Sequence, residues 1–301
     1  MVELTHLQPL AGGWSGRTYL GEVGDDRVVV RIFPPHEAEQ AVEVQAALLR
    51  LVRGLIPVPE VLEVRRPDRA ADAPGLLVTE HLAGERGDVV LAGLDSAGRA
   101  SLAARIGEIA ATLGGMPTVR AGQFVDSDLA LVDFALADGL VEWVGDHRVT
   151  GLDSGERANL SALAADAQVL LDTAQRTCLV HSDLNPKNLL VDPATLDITG
   201  LVDWEFAHSG HPATDLGNAL RFERWPEWQD ALLSAYCGIR GGQPAVVLAQ
   251  ARAADLWALV DLADRASAHP GINPVADSAL ELVRGIARSG DLGWTPDPRR
   301  A

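Results

Sequence analysis

Three polar side chains sit at the ends of short apolar runs, in an order that leaves the chain little choice. His181-Ser182-Asp183-Leu184-Asn185-Pro186-Lys187-Asn188 is followed by the apolar run Leu189 to Val191 and then by Leu201-Val202-Asp203-Trp204-Glu205. A strand over Cys178 to His181 delivers Asp183 to a tight loop, Asn188 returns the chain to a second strand, and Asp203 ends a third. Asp183, Asn188 and Asp203 then meet at one edge. A turn alone, stabilised by Asp and Asn bonding their own backbone, does not explain three groups at these separations.

That meeting suits transfer of a phosphoryl group from a nucleotide, a reaction that asks the protein mainly for positioning and charge neutralisation. Asp183 is the candidate base for an acceptor hydroxyl, and Asn188 and Asp203 are the candidate magnesium ligands. The spacing matches the protein-kinase pattern H-R-D-x-x-x-x-N with Ser182 in place of Arg, and Asp203-Trp204-Glu205 stands where D-F-G is found. Absence of that Arg argues against control by activation-loop phosphorylation. With Pro186 and the downstream Gly210-His211-Pro212-Ala213-Thr214-Asp215-Leu216, the order resembles the aminoglycoside phosphotransferase family of small-molecule kinases, most strongly between Leu179 and Leu216.

The resemblance implies an α+β, two-lobed protein-kinase-like fold: a small, mainly antiparallel β lobe with one helix over residues 1–84, ending in a hinge, and a larger helical lobe over 85–301 carrying the catalytic loop. It implies ATP or GTP and Mg2+ as cofactors. It also implies that His181 and Asp215 support the catalytic loop.

In the first lobe, strands flank a glycine cluster, Gly12-Gly13-Trp14-Ser15-Gly16, and a third strand runs to Phe33. Gly13 and Gly16 let backbone N–H groups approach phosphate oxygens, and Ser15 adds a hydroxyl. By resemblance the nucleotide-binding cation is Arg31, because Lys187 is the only lysine and lies in the catalytic loop. Arginine grips phosphate in a forked geometry. The helix over His36 to Val52 is expected to supply a carboxylate that orients Arg31; Glu43 is the candidate, with Gln45 also at a matching place. A hinge at His81-Leu82-Ala83-Gly84 presents Glu80 C=O and Leu82 N–H to a purine edge, with Thr79 setting the pocket's depth.

Helical spacing dominates thereafter: Leu102, Ile106, Ile109 and Leu113 share a face, with Asp95 or Ser96 as N-cap and Gly114-Gly115 as stop. Further helices are expected at about 156–175, 213–223, 226–237, 245–267 and 275–288.

Composition excludes some functions. The 301 residues carry 42 Asp and Glu against 25 Lys and Arg, a net charge of −17, which argues against nucleic acid and favours cationic ligands. No apolar run is long enough for a membrane span and no leader pattern opens the chain, so a cytoplasmic setting is expected. Cys178 and Cys237 show no metal or redox spacing.

For a cationic acceptor the candidates are Glu205, Asp261 and Asp264, with Trp204 as a stacking surface. Other tryptophans, Trp225, Trp228 and Trp257, suit packing better. The expected activity is O-phosphorylation of a hydroxyl on a small cationic antibiotic: an aminoglycoside, a cyclic peptide of the viomycin or capreomycin type, or a macrolide. The alternatives are a metabolic kinase acting on choline, homoserine or a sugar, and a nucleotide-binding pseudokinase. Retention of Asp183, Asn188 and Asp203 together speaks against the last.

Overall fold

The computed structural model describes residues 4–10, 18–34, 41–134 and 139–296. Its first lobe is a five-stranded antiparallel sheet of β1 (Thr5–Pro9), β2 (Thr18–Val23), β3 (Asp26–Phe33), β4 (Val61–Arg65) and β5 (Gly75–Glu80), in the order β1-β2-β3-β5-β4. The β2–β3 hairpin turns at Gly24, whose φ of +62° is the left-handed backbone that such turns need. Along β3, alternation buries Val28 and Val30 against Val78 on one face. Arg31 shares the opposite face with Phe33, which packs with helix α1 (Ala41–Val52), and its guanidinium lies 5.6 Å from the Phe33 ring centroid.

The second lobe opens with β6 (Glu85–Arg86) and α2 (Gly87–Ala92) and continues with α3 (Ser96–Gly114), β7 (Pro117–Thr118), β8 (Gln123–Phe124), β9 (Leu131–Val132), α4 (Leu140–Asp146) and α5 (Ser154–Leu171). Then come β10 (Thr177–Val180), β11 (Leu189–Val191), β12 (Ile198–Leu201) and β13 (His208–Gly210). Four helices close it: α6 (Thr214–Ala219), α7 (Pro226–Arg240), α8 (Pro244–Ala268) and α9 (Pro274–Ser289). Asp95 caps α3 by accepting the Gly98 N–H at 2.8 Å, and Gly115 ends it. α2 and α4 are not anticipated from the sequence, because six and seven residues carry too little periodicity to register.

Two small sheets, β13-β10-β7 and β12-β11-β6, hold the catalytic segments. β6 pairs with β11, so the chain leaving the first lobe immediately joins the strand that follows the catalytic loop. Leu201 N–H donates to Pro57 O at 2.8 Å, and Thr199 Oγ1 to Ala83 O at 2.5 Å, tying both lobes to the same sheet. One apolar cluster runs from Phe33 and Leu48 through Val58 to Leu189, Leu201 and Leu232. Burial of that contact makes the edge between the lobes a fixed place for a site. Among the described residues no helix is long and apolar enough to cross a membrane.

Candidate active site

β10 leads straight into His181, which is wholly buried, and the next residue, Ser182, takes a left-handed φ of +65°. A non-glycine residue adopts that backbone at a cost, and it persists only where neighbours enforce it. Asp215, buried at the start of α6, does so: its two carboxylate oxygens accept the N–H groups of His181 at 3.0 Å and Ser182 at 2.8 Å. Burial raises the Asp215 carboxyl to about 6 against the opposing pull of these two N–H bonds. His181 Nε2 donates to Val202 O at 3.0 Å, leaving Nδ1 to accept the Asp183 N–H at 3.3 Å. The imidazole thus ties the catalytic loop to the strand leading to Asp203. Burial holds it below the usual histidine range, so it acts as a neutral brace.

Asp183 is clamped by two amides. Asn185 Nδ2 donates to its Oδ1 and Asn188 Nδ2 to its Oδ2, each at 2.7 Å, and both amides also reach the Asp183 carbonyl. Asn185 Oδ1 accepts the Lys187 N–H at 3.0 Å, which opens the 3-10 turn Pro186–Asn188. Gly87 fits against this turn because a Cβ there would lie 2.6 Å from Pro186 O. Asp203 follows β12 with φ +66°, a second enforced left-handed residue, and this turns its carboxylate toward the first lobe.

Arg31 Nη1 meets Asp203 Oδ1 at 2.9 Å, and its Nη2 bonds Glu205. The orienting carboxylate expected from α1 is therefore supplied elsewhere. Glu43 pairs with Arg66 at 2.6 Å, while Gln45 is buried on α1. The physical reason is helix rotation: Val42, Ala46 and Leu49 face the core, which turns Glu43 toward the β4–β5 loop. Burial and the Asp203 charge raise the Glu205 carboxyl, and Arg31 lowers it.

The remaining candidates separate. Trp204 is 3% exposed with its Nε1 donating to Leu201 O at 3.1 Å, so it is core and no stacking surface. Asp261 pairs with Arg265 one turn along α8, and Asp264 accepts the Arg148 N–H at 2.7 Å. Neither touches the catalytic group. Trp228 is fully buried, Trp225 stacks on Arg99, and Trp257 O accepts Trp143 Nε1. At the hinge, Leu82 N–H makes no backbone hydrogen bond among the described residues, and the Glu80 side chain accepts the Glu60 N–H at 3.2 Å. Gly13, Ser15 and Gly16 lie outside the described residues.

One acidic pair escapes sequence inspection. Glu223, between α6 and α7, lies within electrostatic reach of Asp88 on α2 and of Arg221, which in turn feels Asp183. Burial pushes Glu223 up to about 7. Arg221 does not neutralise it fully, because its guanidinium is committed to Asp255 and Asn218. A charge pattern between remote segments leaves no local signal.

The donor set fits magnesium. Asn188 spends its Nδ2 on Asp183, so its Oδ1 is left as a neutral oxygen ligand, and the Asp203 carboxylate is one-third exposed. Among the described residues no three His, Cys, Asp or Glu side chains form a metal cluster. A hard cation held by few protein oxygens and by substrate phosphates matches that sparse set.

Fold and site together define a two-lobed, protein-kinase-like architecture. The sequence matches the phosphotransferase enzyme family over residues 6–256, and the chain belongs to that family. It is similar to the mouse protein named acyl-CoA dehydrogenase family member 11, with 25% identity over 269 residues, 77% of this chain and 32% of that protein. The chain thus spans about a third of the length of the curated relatives it matches. Among solved structures it resembles a GDP complex of aminoglycoside 2'-phosphotransferase-IIIa, with TM-score 0.65, 19% identity, and coverage of 95% of this chain and 93% of that one. It also resembles a microcompartment-associated aminopropanol kinase, with TM-score 0.65, 22% identity, and coverage of 95% and 94%. At these identities the likeness is one of fold.

Proposed function

We propose that the chain transfers the γ-phosphoryl group of ATP or GTP to a hydroxyl of a small, amine-bearing molecule. The observation that carries the reaction is the Asp183 carboxylate, held by two amide donors at the edge where Asn188 and Asp203 converge. A carboxylate fixed in this way takes the acceptor hydroxyl's proton as the oxygen bonds to the γ-phosphorus and the bond to the β-phosphate oxygen breaks, releasing ADP or GDP. Asn188 Oδ1 and the Asp203 carboxylate would hold magnesium, which would supply charge neutralisation on the phosphates. Arg31, beside Asp203, would bind phosphate through its forked guanidinium. The backbone of Glu80 and Leu82 receives the base, and Gly13, Ser15 and Gly16 approach the phosphates.

An amine on the acceptor is supported by charge. Asp183 and Glu223 supply the acidic groups of this region, while Arg31, Arg86 and Arg221 are committed to Asp203 and Glu205, to Asp88 and to Asp255. An ammonium beside Glu223 favours its ionised form and is held by it. Antibiotics with amino groups and simple amino alcohols both fit, in a cytoplasmic setting that supplies the nucleotide. A second reading, a metabolic hydroxyl compound without an amine, is favoured by the metabolic name of the curated relatives.

The test is a panel of aminoglycosides, capreomycin, macrolides, choline, aminopropanol, homoserine, sugars and hydroxy acids with ATP and with GTP, reading nucleoside diphosphate release and phosphorylated product by mass. Turnover of amine-bearing acceptors, weakened at KM by Glu223→Gln, is expected. Turnover confined to neutral or anionic acceptors overturns the amine requirement and supports the second reading.

A further inference from the structure

After α9, residues 290–294 fold into a tight turn against the second lobe. Gly290 ends the helix with φ +68°, Asp291 Oδ1 accepts the Gly293 N–H at 2.7 Å, and Trp294 N–H donates to Asp291 O at 3.1 Å. The Trp294 indole occupies the space that a side chain at residue 285 would need, so α9 seats it only because Gly285 has no Cβ. Leu292 and Trp294 pack on the apolar cluster shared by α8 and α9.

The backbone of this turn holds Arg224, in the connection between α6 and α7. Arg224 Nη1 donates to Trp294 O at 2.6 Å and to Leu292 O at 3.2 Å, and its Nε donates to Arg221 O at 2.9 Å. Among the described residues it makes no ion pair, and Asp255 and Asp291 act on it only at a distance. Burial and the Arg252 charge push its guanidinium down to about 10. A cation in such a place is costly unless its donors are satisfied, and here carbonyls of two remote segments satisfy them. The Arg224 carbonyl is used as well: it accepts Gln229 Nε2 at 2.7 Å, and Gln229 Oε1 accepts Arg252 Nη2 at 2.8 Å.

Glu223 and Arg224 are neighbours in different surroundings. Glu223 senses Arg221 and Asp88 of α2, the helix that packs on the Pro186–Asn188 turn, whereas Arg224 senses Arg252, Asp255 and Asp291. No residue between α6 and α7 belongs to a helix or strand, so the path of this connection is set by the bonds that Arg224 makes.

We propose that Arg224 is a positioning residue for the acceptor: by tying the α6–α7 connection to Leu292 and Trp294 it holds Glu223 on the side of α2 and the catalytic loop. A segment more than sixty residues further along the chain then sets acceptor affinity. The inference rests on the reading of Glu223 as the partner of an acceptor ammonium.

The experiment compares the full chain with Gly285→Ala, Trp294→Ala, Arg224→Met and Glu223→Gln, and with Gly285→Ala combined with Glu223→Gln. Amide hydrogen exchange over residues 221–225 should quicken in the first three variants, because the connection loses its anchor. Steady-state kinetics with choline, aminopropanol and capreomycin should show the acceptor KM raised about five-fold or more, with kcat and the KM for Mg-ATP unchanged, the pattern of lost uniform binding. Unchanged KM for Mg-ATP also shows that the variants are folded. In the Glu223→Gln background Gly285→Ala should add nothing further, since both act through one carboxylate. Unchanged exchange over 221–225 overturns the proposal, as does a fully additive rise in KM in the double variant, or an acceptor KM that Glu223→Gln raises and the other three leave alone. If none of these amines is turned over, or Glu223→Gln leaves KM unmoved, the amine reading fails and the acceptor role of Arg224 with it, and the exchange measurement separates that failure from failure of the anchor.

Discussion

Arg31 Nη1 lies 2.9 Å from Asp203 Oδ1 across 172 positions of sequence. Two local conformations make the meeting possible. Alternation along β3 puts Arg31 on the face toward α1, and the left-handed backbone at Asp203 turns its carboxylate to that face. Through the same guanidinium the sheet is also joined to Glu205, which stands in for the helix carboxylate expected at Glu43.

Replacing Arg31 by Met should raise the KM for magnesium-nucleotide by about tenfold or more, since a forked phosphate donor is lost. Unfolding should change by no more than about 1 kcal/mol, because the ion pairs are partly exposed and screened. Steady-state kinetics and urea titration measure the two separately. A variant with unchanged KM would remove Arg31 from phosphate binding.

Asp183→Asn should retain nucleotide binding and lose about 10²–10⁴-fold in kcat, as expected for a positioned base. Asn188→Ala should do two things at once. It frees the Asp183 carboxylate and deletes an oxygen donor, so kcat falls and the magnesium requirement rises. Equal magnesium dependence in Asn188→Ala and the parent would separate the clamp from the metal ligand.

Asp215 gives a pH signature. Its carboxyl is raised to about 6 in the folded protein from 3.8, so the folded state holds its proton where the unfolded chain has released it. The resulting destabilisation is absent below about pH 3.8, grows as pH rises to about 6, and is complete above that. It amounts to something on the order of 3 kcal/mol. His211, depressed by burial to about 4 from 6.5, contributes the opposite slope, gaining stability as pH rises over nearly the same window. The two largely cancel in the parent. Asp215→Asn should unmask the histidine, so that its unfolding free energy, measured at steps from pH 4 to 6.5, climbs relative to the parent; parallel curves would contradict the assignment.

Arg221 and Asp255 form a buried pair, with Nε and Nη2 both bonding the carboxylate and Asn218 accepting the second Nη2 bond. Removing one partner leaves an uncompensated buried charge, so Asp255→Ala or Arg221→Met should cost about 3–5 kcal/mol. The double replacement Arg221→Met with Asp255→Leu should recover much of that loss, as read by denaturant unfolding. A strictly additive pair of losses would show that the two side chains do not act together.

The grouping of Asp183, Asn188 and Asp203 was legible because these residues are close in sequence. The spacing from Asp183 to Asn188 is one tight loop, and Asp203 ends an adjacent strand, so the order alone brings them together. Helices α3 and α5 to α9 were legible from helical spacing, and α3 also from Asp95 and Gly115 at its ends. What failed was orientation. Glu43 faces Arg66, Trp204 turns into the core, and Asp261 and Asp264 serve α8 and its neighbouring loop, because each direction depends on packing between segments far apart in sequence.

The sequence by itself determined the grouping of Asp183, Asn188 and Asp203, since a single loop and the strand beside it set their separations. Only the tertiary structure decided which carboxylates hold Arg31 and that Asp215 enforces the backbone of Ser182. Those relationships arise from electrostatics and close packing between remote segments, where contact follows from how helices rotate against a common core and leaves no trace in local spacing.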